Sequence, residues 1–64
     1  MEQSPRSLVP LRAVGQRVSL SRSTIYAKVA RGEFPAPIKI SENRVAWDSS
    51  AIDNWIADKL QAAA

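Results

Sequence analysis

The residues best suited to do chemistry lie in one short stretch, Ser21-Arg22-Ser23-Thr24-Ile25-Tyr26-Ala27-Lys28-Val29-Ala30-Arg31. It carries three cations, three hydroxyls and a phenol, and Glu2 is the sole carboxylate N-terminal to it. These groups bind anions rather than break bonds. Arginine donates bidentately to phosphate or to guanine, and hydroxyls reach phosphates or base edges. A second, smaller set follows at Lys39, Asn43 and Arg44. Catalytic chemistry is poorly provided for. The chain has no histidine and no cysteine, which removes the commonest general base and the commonest metal ligands. Its six carboxylates are scattered, and no nucleophile–base pair or glycine-rich phosphate loop is present. The sequence therefore predicts no enzyme, no metal and no cofactor.

The charge distribution agrees with an anionic partner. Residues 1–31 hold six basic residues against one acidic, whereas residues 32–64 hold three against five. A basic half beside a mildly acidic one suggests a face made for nucleic acid, with ordinary solvated charge as the alternative. A chain of 64 residues builds one core. No apolar run approaches the roughly 20 residues of a membrane span, and the polar start Met1-Glu2-Gln3-Ser4-Pro5-Arg6 lacks a signal peptide's apolar stretch. The expectation is a cytoplasmic protein.

The elements that must position these residues follow from periodicity. Residues 1–9 read as a flexible arm. Pro10 can open a helix, since proline is tolerated in the first turn. Leu11, Val14 and Val18 fall on one stripe and predict a helix over 11–18, with Gly15 costing it about 1 kcal/mol against alanine. Ser21 is an N-cap and Leu20 a staple for Ile25, starting a second helix at Arg22 that Gly32 stops after Arg31. With Ile25 and Val29 turned inward, Ser23, Ala27, Lys28 and Arg31 project outward, and Tyr26 lies beside the core stripe with its hydroxyl free. After Phe34-Pro35-Ala36-Pro37, the alternation of Ile38-Lys39-Ile40 reads as a half-buried strand, Ser41 to Arg44 as a tight turn, and Val45-Ala46-Trp47 as the returning strand. Ile52, Trp55, Ile56 and Leu60 give a third, amphipathic helix behind the cap Asp48-Ser49-Ser50. Trp47 and Trp55 read as core rather than as stacking platforms for single strands. Residues 62–64 are expected to fray.

Helix, tight turn, helix, hairpin, helix is an α+β, mostly α arrangement, a winged helix-turn-helix domain over residues 10–61. Its second helix would meet the major groove of double-stranded DNA. The wing at 38–47 would lie on backbone or minor groove, with Lys39, Asn43 and Arg44 either in contact or simply solvated. The absence of a long dimerisation helix predicts a monomer in solution, able to assemble cooperatively on DNA.

At Ser21-Arg22-Ser23-Thr24-Ile25-Tyr26 and Ala30-Arg31-Gly32-Glu33-Phe34-Pro35 the chain resembles the AlpA family of small prophage regulators, related to excisionase and MerR-type winged helices. The likeness continues through Pro37-Ile38-Lys39-Ile40, Val45-Ala46-Trp47 and Ile52-Asp53-Asn54-Trp55-Ile56, covering about residues 8 to 60. The resemblance implies a transcriptional regulator of prophage or integrative-element genes, with a DNA-binding helix at Ser21 to Arg31 carried on Ser21, Arg22, Ser23, Thr24 and Tyr26. It also leaves open an excisionase-like architectural factor, or an adaptor that recruits integrase or RNA polymerase. The chain departs from the family's common pattern in three places. Ser19 stands for a turn glycine, Ala27 for an arginine, and Asn43 for a basic residue that here comes one position later, as Arg44.

Overall fold

The computed structural model describes residues 6–63. The order is β1 (Leu8–Pro10), α1 (Leu11–Val18), α2 (Arg22–Ala30), β2 (Ile38–Ser41), β3 (Arg44–Asp48) and α3 (Ser49–Ala63). The three strands form one antiparallel sheet in the order β1-β3-β2. This is the winged helix-like α+β fold that the pattern of elements predicts.

Each helix boundary has a local cause. Pro10 precedes α1 in extended conformation, and Ser19 closes it at φ 59°, a left-handed geometry that costs an L-residue energy. Leu20 N–H then donates to Gly15 O at 3.3 Å. A Cβ on Gly15 would stand 3.1 Å from Leu20 O, so the glycine that weakens α1 is what lets the turn fold back over it. Ser21 caps α2, its Oγ accepting from Thr24 N–H at 3.3 Å. Gly32 (φ 74°) ends α2 in a Schellman arrangement, with Gly32 N–H on Val29 O and Glu33 N–H on Lys28 O. The Asp48 carboxylate accepts from Ser50 N–H at 3.0 Å and caps α3.

The core lies between the helices and the inner face of the sheet. Val14, Ile25, Phe34, Trp47 and Ile52 are buried there, with Leu11, Val18, Leu20, Val29, Trp55 and Ile56 packed around them. Both tryptophans belong to it, as their positions in the pattern require. They also fix the connector between α2 and the wing. Trp47 Nε1 donates to Pro35 O at 2.7 Å, and Trp55 Nε1 donates to Glu33 O at 3.0 Å. Phe34 meets Trp55 edge-on, with centroids 4.9 Å apart. An ion pair from Arg17 to Asp53, 2.6 Å, links α1 to α3.

Two expectations need correction. The arm expected over residues 1–9 is instead a strand at its distal end. Leu8, Val9 and Pro10 pair with Asp48, Trp47 and Ala46, filling the edge of β3 that a two-stranded wing would leave open. Ser7 adds hydrogen bonds to Ser49 through both its N–H and its carbonyl. Residues 1–5 of that arm lie outside the described residues. The second correction concerns β2, which is exposed throughout. Its register sets Ile38 opposite Ala46 and Lys39 opposite Val45. Because paired residues share a face, Lys39 lies on the inner face with Val45 and Trp47, and Ile38 lies outside, whereas Ile40 sits in the register shift between Lys39 and Ser41. Ile38 and Leu8 thus form an exposed apolar patch on the outer face, and Ile40 is exposed as well. Helix α3 runs on through Ala62 and Ala63, both exposed. Ala64 lies outside the described residues. None of the helices is long and apolar enough to cross a membrane.

Candidate nucleic-acid interface

The turn between α1 and α2 sets the direction of α2, and Ile25 locks it by inserting fully into the core. Its opposite side is bare. Arg22 and Ser23 in the first turn and Ala27 in the second are exposed, with Thr24 half-buried. Ser23 and Ala27, four apart, share one face. The Ser21 hydroxyl is occupied by its own helix. It accepts from Thr24 N–H, donates to Thr24 Oγ1 at 2.9 Å and lies 3.4 Å from Ser23 Oγ. Tyr26 is 37% exposed, with its ring tilted against that of Trp47 at 6.1 Å between centroids.

The wing comes against this end of α2. Arg22 and Tyr26 of α2 and Lys39, Asn43 and Arg44 of the wing line one open cleft of about 440 Å³, together with Leu11, Glu42 and Val45. Five of the residues singled out by sequence, from segments some 20 positions apart, therefore meet at one place. The register of β2 is what delivers Lys39 there. Had Ile38 faced inward instead, Lys39 would have pointed away from α2. Leu11, Glu42 and Val45 were missed by sequence reasoning. Leu11 and Val45 have the signature of core residues, and Glu42 that of a solvated turn.

Lys28 and Arg31 take a different course. Both approach Glu33, at 3.8 Å and 3.2 Å from Oε1, just past the glycine that ends α2. Exposed ion pairs of this kind are worth about 0–1 kcal/mol, but a carboxylate between two cations lowers the local positive potential. By contrast, Arg22, Lys39 and Arg44 face no carboxylate at salt-bridge distance among the described residues.

Away from the cleft, Arg6 pairs with Asp48, which also accepts from Ser50. The Arg6 guanidinium first, then the Ser50 N–H, hold the Asp48 carboxyl down at about 2. No group of three or more carboxylates suited to a metal ion occurs among the described residues.

A curated relative, the uncharacterized protein ORF88 of Enterobacteria phage P4, is 42% identical over 41 residues. The match takes in 64% of this chain and 47% of the relative, so the chain spans about half the length of that protein. No solved structure matches significantly. The family described as Prophage CP4-57 regulatory protein (AlpA) matches residues 7–60, which include all six elements except the last turn of α3. The chain belongs to the AlpA family of prophage regulatory proteins.

Proposed function

We propose that this chain is a sequence-specific, double-stranded DNA-binding transcriptional regulator of prophage or integrative-element type. The first turns of α2 enter the major groove, and the wing lies on the adjoining backbone or minor groove. The observation that carries this is the cleft in which Arg22 and Tyr26 of α2 meet Lys39, Asn43 and Arg44 of the wing, with three cations against one carboxylate, Glu42. A cleft of that charge, flanked by an exposed helix N-terminus, suits a phosphate-lined groove edge.

Roles follow from placement. Arg22 is the base reader, placed to donate bidentately to a purine edge, with Ser23, Thr24 and Ala27 on the adjoining surface. Tyr26, Lys39, Asn43 and Arg44 hold backbone. Ser21 contributes by capping the helix that carries the readers. Lys28 and Arg31 contribute less, because Glu33 answers both. A module of this size covers about 600–1,000 Å² on DNA, so lone binding is weak and salt-sensitive, and occupancy in a cell requires repeated sites or neighbours. In this reading the protein is a monomer in solution that assembles on its site.

Selection of bound duplexes from a random pool tests the proposal. Enrichment of one short motif is expected, and its footprint should vanish with Arg22→Ala, a loss of about 1–3 kcal/mol on that motif. A pool returned without enrichment would sink sequence specificity.

A second role, recruitment of integrase or RNA polymerase as in an excisionase-like adaptor, is favoured by exposed apolar groups away from the cleft. Leu8 and Ile38 lie on the outer sheet face, Ile40 is exposed at the register shift of β2, and Leu60 lies on α3. It predicts a complex with the purified partner that persists at high salt. It is set aside if Ile38→Ser with Ile40→Ser leaves such a complex unchanged.

A further inference from the structure

The nine cations of the chain fall into two sets. Arg6, Arg17, Lys28 and Arg31 each face a carboxylate, and Lys59 lies over the Trp55 ring at 5.3 Å. Arg12, Arg22, Lys39 and Arg44 pair with no carboxylate among the described residues. The last three belong to the cleft described above. Arg12 does not, and nothing in the sequence pattern singles it out.

Arg12 sits in the first turn of α1, exposed. With Gln16, one turn on, and Arg22 it rims a second depression of about 400 Å³ whose floor is Leu11, Gly15 and Leu20. The two depressions share Leu11 and Arg22, so they lie on either side of the Arg22 side chain. All four unpaired cations therefore border one continuous surface. This second depression has no carboxylate among its lining residues, whereas the wing cleft has Glu42.

We infer that α1 carries a second backbone subsite, in which Arg12 and Gln16 hold a phosphate of duplex DNA on the side of Arg22 opposite the wing. The inference rests on the DNA-binding reading and extends it. The chemistry fits a sugar–phosphate unit better than a base. The phosphate oxygens accept from the guanidinium and the amide, and the carbon face of a deoxyribose lies on the apolar floor. A base edge needs several donors and acceptors in fixed register, and the floor offers none. With phosphates held on both flanks, α2 is fixed in its register along the groove, which a wing contact alone leaves free to rock.

Fluorescence anisotropy with the full chain tests this, using the selected duplex and a random one across a series of KCl concentrations. Arg12→Ala and Arg12→Gln, the latter keeping helix propensity and a polar, uncharged side chain, are checked for folding by thermal unfolding. Both should weaken binding to the two duplexes by the same factor. Each should reduce the slope of log affinity against log salt by about 0.9, the value for one lost phosphate contact. Arg12→Lys should keep the parent slope. Folded Arg12→Gln protein with the parent's affinity and slope overturns the subsite, as does a loss confined to the selected duplex, which would make Arg12 a base reader. A parent chain that ignores every duplex is a different failure, and it refutes the DNA-binding reading itself.

Discussion

Removing two cations from the wing should cost the protein far more salt-dependent affinity than removing two from the end of α2. The perturbations are Lys39→Ala with Arg44→Ala, and Lys28→Ala with Arg31→Ala. Each pair deletes two positive charges, so net charge cannot distinguish them. Placement can. Lys39 and Arg44 line the cleft beside Arg22, whereas Lys28 and Arg31 flank Glu33. If Arg12, Lys39 and Arg44 each neutralise one phosphate while Arg22 reads a base, log affinity falls with log salt at a slope of about −2.7. Between 50 and 200 mM salt the parent then loses about 40-fold in affinity. The wing variant keeps one of those contacts and loses only about 3.5-fold over the same range, from a weaker starting point. The variant at Lys28 and Arg31 should stay within about half a unit of the parent slope. Anisotropy of a labelled duplex, titrated at five or six salt concentrations, reads all three slopes. A parent slope near −4.5, with a drop of about 1.8 on losing Lys28 and Arg31, would place five cations on phosphate and show that Glu33 does not set Lys28 and Arg31 apart.

Other expectations concern the scaffold. Ser19→Gly should stabilise the domain by about 0.5–1 kcal/mol, because Ser19 holds φ 59° at the end of α1 and glycine adopts that geometry freely. Thermal unfolding should show the midpoint rise by a few degrees, and an unchanged or lower midpoint would contradict the cost assigned to that turn. Ser21→Ala removes the cap of α2 and should destabilise by about 1 kcal/mol, read by urea unfolding, with DNA affinity falling because the reading helix loosens at its leading end. Asp48 links folding to acid. Its carboxyl titrates at about 2 in the folded chain against 3.8 ordinarily, so its contribution is complete above the ordinary value and is lost as pH falls toward 2. Arg6→Ala should bring the Asp48 titration, followed by carboxyl NMR, back toward the ordinary range, and an unmoved titration would assign the depression to Ser50 alone.

Much of this molecule is legible in the sequence, and the exceptions share a cause. The helices, their caps and both tryptophans follow from local signals, since Ser21, Gly32 and the stripe Ile52, Trp55, Ile56 act within a few residues of themselves. Strand β1 does not announce itself. Leu8-Val9-Pro10 is too short to show a period, and what makes it a strand is the free edge of β3, nearly 40 residues away. The face of β2 is a second case. Alternation says that Lys39 and its isoleucine neighbours lie on opposite sides, but not which side is inward. Trp47 decides that, because its burial fixes the inner face of β3 and the register hands the same face to Lys39. The candidate interface inherits both facts. Its residue types could be named from the sequence, whereas their meeting in one cleft, and the standing of Glu33 beside Lys28 and Arg31, depend on contacts between segments.

The most direct test is to titrate the ¹⁵N-labelled chain with its selected duplex and follow each backbone amide. The largest shifts are expected at Arg22 to Ala27 and Lys39 to Arg44, smaller ones at Arg12 and Gln16, and little change from Asp53 to Ala63. Shifts centred on Leu8, Ile38 and Ile40 or along α3, with residues 22–27 unmoved, would contradict the proposed interface.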